Sequence, residues 1–107
     1  MKRVFISQPT YGKTDKEILA DRDRIINALY NYGYSPNELF FLDSLILEEE
    51  PEDCNNCNNE LFYLGKSIQI MASADLVVFG KGWKDACECM IEFRCAKNYG
   101  LSYICED

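Results

Sequence analysis

Asp75-Leu-Val-Val-Phe79 is an apolar run that stops at Gly80-Lys-Gly-Trp-Lys-Asp85, after which a helical stretch and Gly100 lead into a second apolar run, Leu101 to Cys105. This order predicts a strand, a loop, a helix and a strand, the unit whose right-handed crossover makes two strands parallel. Ligands of open parallel sheets bind beyond the carboxyl ends of the strands. We therefore expect the loop and the first turns of the helix to form part of a binding site.

Glu92 is the residue of that helix that stands out. It falls at the margin of the helical face that is expected to pack on the sheet, which consists of Cys89, Phe93, Ala96 and Tyr99. A carboxylate in such a place is either paired with a cation or used in chemistry. The structural alternative is an ion pair with Arg94 or with Arg22 of the first helix.

The composition indicates one globular domain that spans residues 1–107. Of these residues 48% are hydrophobic and 27% are charged, and the net charge is −7. Such an acidic chain is not expected to bind a nucleic-acid backbone or an anionic membrane surface. No apolar run approaches the ~20 residues of a membrane span, and Met1-Lys-Arg3 leads into a strand without a signal-peptide core. We therefore expect a cytoplasmic protein whose cysteines are thiols.

The amino-terminal residues predict a strand, a loop and a helix. Arg3-Val-Phe-Ile-Ser7 is a β-branched and aromatic run typical of a buried first strand. Thr14 and Glu17 have the spacing of a capping box, so a helix is expected to begin at Thr14. Gly33 is expected to end that helix. Arg22 falls among the apolar positions of the helix, where either its stem packs while its head reaches water, or its head makes a buried contact with a ligand.

The middle of the chain predicts a second strand and a second helix. Leu39-Phe-Phe-Leu42 has the composition of a strand, and the acidic run Glu48 to Glu52 is typical of a solvated loop. The helix that follows is expected to be capped by Asn58 or Asn59. Its apolar residues fall on one stripe that should pack on the sheet, Leu61, Leu64, Ile68 and Met71.

Strands and helices thus alternate along the chain in the order β-α-β-α-β-α-β. Such alternation implies a parallel sheet with helices on both faces. We predict a single-domain three-layer α/β/α fold, Rossmann- or flavodoxin-like, with four or five parallel strands. The first and third strands, residues 4–7 and 76–79, are apolar on both faces and should be adjacent at the centre.

Polar groups are expected to meet at the carboxyl edge of this sheet. Two helices begin after Lys13 and Lys84, and each helix N-terminus offers free N–H groups and a partial positive charge. With Lys81, these lysines favour a small anionic ligand, although a lysine in a loop is commonly only solvated. Ser7 and Gln8 add neutral donors that suit a phosphate or the edge of a base.

Two aromatic residues, Tyr11 and Trp83, lie in the predicted loops at the same edge. An aromatic ring there either stacks on a nucleobase or packs in the core or against another subunit. The other candidate ligand contacts in these loops are Pro9, Gly12, Gly80 and Gly82.

The cysteines allow a weak argument for zinc. Cys54-Asn-Asn-Cys57 has the spacing of zinc ligands, and Cys87 and Cys89 could supply a second pair. However, Cys87 and Cys89 project from different faces of the helix, and the chain has no histidine. We therefore predict no metal and no cofactor.

Three features together resemble the nucleoside deoxyribosyltransferase superfamily. They are the run Val4-Phe-Ile-Ser-Gln-Pro9, the strand Ala74-Asp-Leu-Val-Val78, and the spacing of Glu92, Ala96 and Gly100. The resemblance covers nearly the whole chain, which looks most like short phage and bacterial relatives. It implies cleavage or transfer of the N-glycosidic bond of a deoxynucleoside or its monophosphate, with the glutamate as nucleophile.

The resemblance also implies that a second carboxylate orients the sugar or the base, and Asp85 or Asp43 is the candidate. Three positions depart from the family pattern: Phe5 stands in place of a tyrosine, Ala86 in place of Asp or Ser, and Glu88 in place of Gly. These departures leave open a second function, a nucleotide-binding module without turnover that senses or sequesters a nucleotide.

Relatives complete their pockets with residues of a neighbouring subunit. The resemblance therefore implies at least a homodimer, and we expect it to bury apolar surface of the second helix or of Phe40-Phe41.

Overall fold

Strands and helices alternate along the part of the chain that the computed structural model describes, residues 1–42 and 58–106. The elements are β1 (Lys2–Ser7), α1 (Asp15–Tyr32), β2 (Leu39–Phe41), α2 (Asn59–Met71), β3 (Leu76–Phe79), α3 (Cys87–Asn98) and β4 (Tyr103–Cys105). Short 3₁₀ turns, Pro36–Glu38 and Trp83–Asp85, precede β2 and α3. The expectations for Asp43, the acidic run 48–52, Cys54 and Cys57 lie outside the described residues.

The four strands of the described chain form one parallel sheet in the order β2-β1-β3-β4. The two central strands are β1 and β3, in which Val4 lies opposite Leu76 and Ser7 lies opposite Phe79. Residues 4–7 and all of β3 are buried, because a central strand of a three-layer fold is covered on both faces. The predicted parallel sheet and its central strand pair are confirmed.

A hydrogen-bonded ion pair between Arg3 and Asp75 lies at the start of the β1–β3 pairing. The Asp75 carboxylate accepts hydrogen bonds from the Arg3 backbone N–H at 2.8 Å and from the Arg3 guanidinium at 3.2 Å. The guanidinium and the backbone amide lower the pKa of the Asp75 carboxyl, because both favour its charged form. The β1–β3 register is thus marked at its amino end by a charged pair on the surface.

Helices cover both faces of the sheet. Successive side chains along a strand point to opposite faces of the sheet. Val4 and Ile6 therefore pack with α1, while Phe5 packs with α2 and α3. The core on the first face includes Ile25, Leu29, Leu39, Leu76 and Val78. The core on the second face includes Met71, Val77, Phe79, Trp83, Cys89 and Ala96. This is the predicted three-layer α/β/α arrangement, in a single domain.

The ends of α1 follow the sequence signals. The Thr14 hydroxyl accepts a hydrogen bond from the Glu17 N–H at 3.2 Å, and the Glu17 carboxylate accepts one from the Thr14 N–H at 3.3 Å. Gly33 ends the helix with a φ of 124°, which favours glycine. In the middle of the helix, the Arg22 guanidinium donates to the Leu42 carbonyl at 3.0 Å, so its head contacts protein, whereas the sequence predicted that it reaches water.

The second helix packs less than its apolar stripe predicts. Its Asn58 cap is confirmed, since the Asn58 side chain accepts a hydrogen bond from the Leu61 N–H at 2.9 Å. Leu61 is nevertheless 65% exposed, and of the four stripe residues only Met71 is buried. Burial increases toward the carboxyl end of α2, because that end leads directly into β3. None of the helices in the described ranges is long and apolar enough to cross a bilayer.

Candidate functional site

Glu92 lies inside the packed face of α3, not at its margin. Its side chain is 5% exposed, and Cys89 and Ala96, one helical turn away on either side, are also buried. Tyr99, which was expected on the same face, is 84% exposed. The helix ends at Asn98 and Tyr99 is its C-cap, so a helical wheel no longer describes the direction of its side chain.

The Ser7 hydroxyl donates a hydrogen bond of 3.1 Å to Oε1 of Glu92. Ser7 is 2% exposed and is the last residue of β1, paired with the last residue of β3. The bond therefore places Glu92 at the carboxyl ends of the two central strands, where open α/β sheets bind ligands. The sequence predicted both residues as site residues, and the structure brings them together.

Burial changes the electrostatics of this carboxyl group. It raises the pKa of Glu92 from its ordinary value of 4.5 to about 7; the Ser7 hydrogen bond opposes this rise, and the charge of Glu88 adds to it. The second oxygen, Oε2, is buried and accepts no hydrogen bond. Within the described residues, no ion pair joins Glu92 to a basic side chain, so the structural alternative with Arg94 or Arg22 is not formed.

The hydrogen bond from Ser7 gives a direct prediction. We expect Ser7→Ala to raise the pKa of Glu92 further, by roughly one pH unit, because a hydrogen bond to a charged group contributes about 1.5 kcal/mol. A titration of the side-chain carboxyl ¹³C signals by NMR measures this pKa. Ser73→Ala is the matched control, since the exposed Ser73 hydroxyl only bonds the Ile70 carbonyl. An unchanged pKa in Ser7→Ala would show that the bond does not hold the carboxylate.

The neighbouring cysteine is a neutral part of the site. Burial raises the pKa of the Cys89 thiol to about 12, and the negative charges of Glu92 and Glu88 add to this rise while the nearby Ser7 hydroxyl opposes it. A thiol with such a pKa stays protonated at neutral pH and is a poor nucleophile. Cys89 therefore packs against the site, and Glu92 is the reactive candidate on this face.

The two loops at the carboxyl edge of the sheet are in close contact. The Gly80 N–H donates to the Ser7 carbonyl at 2.7 Å, and a Cβ at Gly80 would lie 3.3 Å from the Cβ of Gln8 and only 2.8 Å from the end of Ile25. Gly82 adopts a φ of 87° and lies against Pro9. A side chain at position 80 would therefore need Ile25 of α1 and Gln8 to shift, so glycine suits the close approach of this loop to the end of β1.

Gln8 is buried beside the site but turns toward α1. Its side-chain Nε2 donates to the Ile18 carbonyl at 2.9 Å, while its Oε1 is buried without a hydrogen-bond partner. The amide N–H group that was expected to bind a ligand is engaged within the protein. The acceptor, Oε1, is the atom of Gln8 that is left for a ligand.

The remaining residues of the first loop form a turn at the surface. Lys13 N–H donates to the Thr10 carbonyl at 3.1 Å, and Gly12 has a φ of 77°. Tyr11 is 90% exposed at the tip of this turn. The Lys13 ammonium lies 2.6 Å from the Asp21 carboxylate. The sequence did not predict this ion pair.

Trp83 packs in the core. It is 5% exposed, and its ring centre lies 4.6 Å from that of Phe93 and 5.5 Å from that of Phe79. Of the expected alternatives, stacking on a base or packing in the protein, the structure shows the second. The indole Nε1 is buried without a hydrogen-bond partner. Asp85, in the same 3₁₀ turn, is exposed.

Glu106 is a residue of this edge that the sequence reasoning missed. Its carboxylate accepts hydrogen bonds of 3.0 and 2.9 Å from the Arg24 guanidinium and one of 3.0 Å from the Lys81 N–H. It thereby ties α1 to the loop between β3 and α3. An acidic residue directly after the last strand of a parallel sheet was the available signal, because the carboxyl ends of all strands meet at one edge.

Within residues 1–42 and 58–106, no three side chains of His, Cys, Asp or Glu are grouped so that they could hold a metal ion. Cys87 is exposed and Cys89 is buried, as expected of residues on different faces of the helix. The partners proposed for them, Cys54 and Cys57, lie outside the described residues.

No family model, curated protein or solved structure matches the chain.

Proposed function

We propose that this protein cleaves or transfers the N-glycosidic bond of a deoxynucleoside or deoxynucleoside monophosphate, with Glu92 as the nucleophile. The observation that carries the proposal is the placement of one carboxylate at the carboxyl ends of β1 and β3. It is 5% exposed, one oxygen is held by Ser7, and the other has no partner. A carboxylate that is oriented by one bond and weakly solvated suits nucleophilic attack.

In the proposed reaction, Oε2 of Glu92 attacks the anomeric carbon of the sugar. The bond between that carbon and the base nitrogen breaks, its electron pair leaves with the base, and the base takes up a proton. Water or the nitrogen of a second base then attacks the same carbon, loses its proton, and releases the carboxylate. The anomeric configuration is retained because the carbon is inverted twice.

The pKa of Glu92 is compatible with this role. A nucleophilic carboxylate must be ionised, and a group with a pKa of about 7 is ionised in roughly half of the molecules at neutral pH. Desolvation makes the ionised form less stable and therefore more reactive toward carbon. We expect activity to rise with pH through this range.

The Ser7 hydroxyl replaces a group that the resemblance implies. In the superfamily that this chain resembles, a tyrosine hydroxyl on the first strand steadies the nucleophile, and the corresponding residue here is Phe5, which has no hydroxyl. Ser7 lies two residues later, on the same face of β1, and donates to Glu92 at 3.1 Å. This contact supports turnover despite the departure at Phe5.

The alternative is a nucleotide-binding module without turnover. The position of Asp85 favours it, because this candidate for orienting the sugar is exposed on the turn before α3. Retaining enzymes of this kind generally use a second carboxyl group. Among the residues that the structure describes, Glu88 is the carboxylate whose charge raises the pKa of Glu92. It is half-buried and lies one helical turn before Glu92.

Release of free base separates the two functions. The purified protein is incubated with the four common 2′-deoxynucleosides and their 5′-monophosphates, and free base is measured by liquid chromatography. Base released by the wild type and not by Glu92→Gln supports the enzyme. Binding of these compounds without any release supports the binding module.

We also propose that the chain forms at least a homodimer. Leu61 of α2 is 65% exposed and Phe40 of β2 is 54% exposed, so both of the expected apolar contact regions offer surface to a second subunit. Sedimentation equilibrium at micromolar concentration is expected to give at least twice the mass of one chain. The mass of a single chain would contradict this expectation.

A further inference from the structure

We propose that Glu106 is a positioning residue of the candidate site, and that it acts through the loop between β3 and α3 on the hydrogen bond from Ser7 to Glu92. This loop, named here the β3–α3 loop, consists of residues 80–86. The inference rests on the proposed function for the catalytic role of Glu92, and it adds a residue that does not belong to the reacting groups.

The bond from Ser7 to Glu92 joins two elements, β1 and α3. Its length therefore depends on how the end of β1 is placed against the helix. At 3.1 Å it is longer than the roughly 2.5–2.7 Å typical of a hydroxyl bonded to a charged oxygen. Glu88, whose charge also acts on Glu92, belongs to α3 itself and moves with it. A small displacement of β1 against α3 therefore weakens the Ser7 contact first.

The β3–α3 loop contacts one partner of this bond and carries the other. At its start, the Gly80 N–H donates to the Ser7 carbonyl at 2.7 Å. At its end, the loop leads directly into α3, on which Glu92 lies, and Trp83 of the loop is buried in the core. A change in the position of the first loop residues is therefore passed to Ser7 through one short backbone bond.

Glu106 binds the chain on both sides of Gly80. Its carboxylate accepts a hydrogen bond of 3.0 Å from the Lys81 N–H, and bonds of 3.0 and 2.9 Å from the Arg24 guanidinium of α1. Its backbone N–H donates to the Phe79 carbonyl at 2.8 Å. Because hydrogen bonds between charged groups are roughly twice as strong as neutral ones, the bonds from Arg24 hold the carboxylate in place for the loop.

Asp75 offers a matched control for Glu106. Its carboxylate also accepts hydrogen bonds from a backbone N–H and from a guanidinium, both of Arg3. These contacts lie at the amino end of the β1–β3 pair, at the opposite edge of the sheet from Glu92. Loss of the Asp75 carboxylate therefore removes bonds of the same kind without touching the β3–α3 loop.

The experiment compares Glu106→Ala with Asp75→Ala by NMR, in the absence of substrate. In Glu106→Ala, we expect the pKa of Glu92 to rise by roughly half a pH unit, because the Ser7 bond is weakened but not removed. Loss of a negative charge would by itself lower this pKa, so a rise reports the weakened bond. The Gly80 N–H should also exchange faster with solvent, although its acceptor on Ser7 is unchanged.

Glu106→Gln is a second variant, which keeps the shape of the side chain and one acceptor oxygen. It should raise the pKa of Glu92 by a smaller amount and serves where the alanine variant does not fold. Asp75→Ala should change neither the pKa of Glu92 nor the exchange of Gly80. An unchanged or lowered pKa in the Glu106 variants overturns the inference, and so does an equal rise in Asp75→Ala.

These measurements separate the inference from the proposed function, because they need no turnover. If the wild type releases base, the pH at which activity is half-maximal should rise in Glu106→Ala by the same amount as the pKa of Glu92. If no compound releases base while this pKa rises, the proposed function fails and the positioning role of Glu106 stands. If activity falls while this pKa and the Gly80 exchange stay unchanged, the inference is overturned and the proposed function is left intact.

Discussion

Glu92→Gln should remove turnover while the protein stays folded. The amide keeps the shape of the side chain and can still bond Ser7, but it cannot attack the anomeric carbon. Loss of a nucleophile should lower kcat by roughly 10³-fold or more, and KM should change little, because the amide still fills the site. Single-turnover measurements of base release test the loss of turnover, and circular dichroism of the variant tests whether it stays folded.

Glu88→Gln provides a matched comparison on the same helix. It removes a carboxylate one turn away whose charge raises the pKa of Glu92, so the pH at which activity is half-maximal should fall while turnover persists. If Glu92→Gln retains the activity of the wild type, Glu92 is not the nucleophile, and base release arises from another group.

The stability of the protein should depend on pH through Glu92. Because the pKa is raised to about 7 in the folded state, from 4.5, the folded protein binds more protons than the unfolded chain between these pH values. The contribution of Glu92 to the free energy of unfolding is therefore greatest below pH 4.5, falls as the pH rises to about 7, and is constant above it. A pKa difference of this size corresponds to roughly 3 kcal/mol.

Urea denaturation of the wild type and Glu92→Gln across this pH range measures the effect. The amide does not ionise, so the variant should match the wild type at low pH and exceed its stability by up to about 3 kcal/mol at pH 8. Glu38→Gln, an exposed change, should follow the wild type throughout. A Glu92→Gln variant that is less stable than the wild type at pH 8 would instead indicate a structural role for the carboxylate.

The fold could be predicted from the sequence because its signals are local. The capping box of Thr14 and Glu17, the end of α1 at Gly33 and the apolar runs of β1 and β3 each follow from residues close together in the chain. Parallel pairing then follows from the alternation of strands and helices, since few topologies remain. The burial predicted for Leu61 from the apolar stripe of α2 was wrong. Periodicity identifies the apolar face of a helix but does not show whether another element covers that face.

The site was predicted only in part, since side-chain partners depend on distant residues. Ser7 and Glu92 were identified, but their bond joins residues 85 positions apart. The pairing of Lys13 with Asp21 and the position of Glu106 between Arg24 and Lys81 were not predicted, and both change the charge that a ligand would meet. The orientation of Trp83 in its loop depends on packing against Phe93, which spacing alone does not show.

The order of the strands also has a consequence for how the chain acquires its structure during synthesis. Arg3 and Asp75, at the start of the central strand pair, are 72 positions apart, so β1 leaves the ribosome long before its main partner exists. Until then it can pair only with β2, and one edge of β1 stays open. Closing such a long segment costs chain entropy that only the completed core offsets. We therefore expect the sheet to form late, in a step that requires β3, and the nascent amino-terminal part to be the segment most exposed to aggregation.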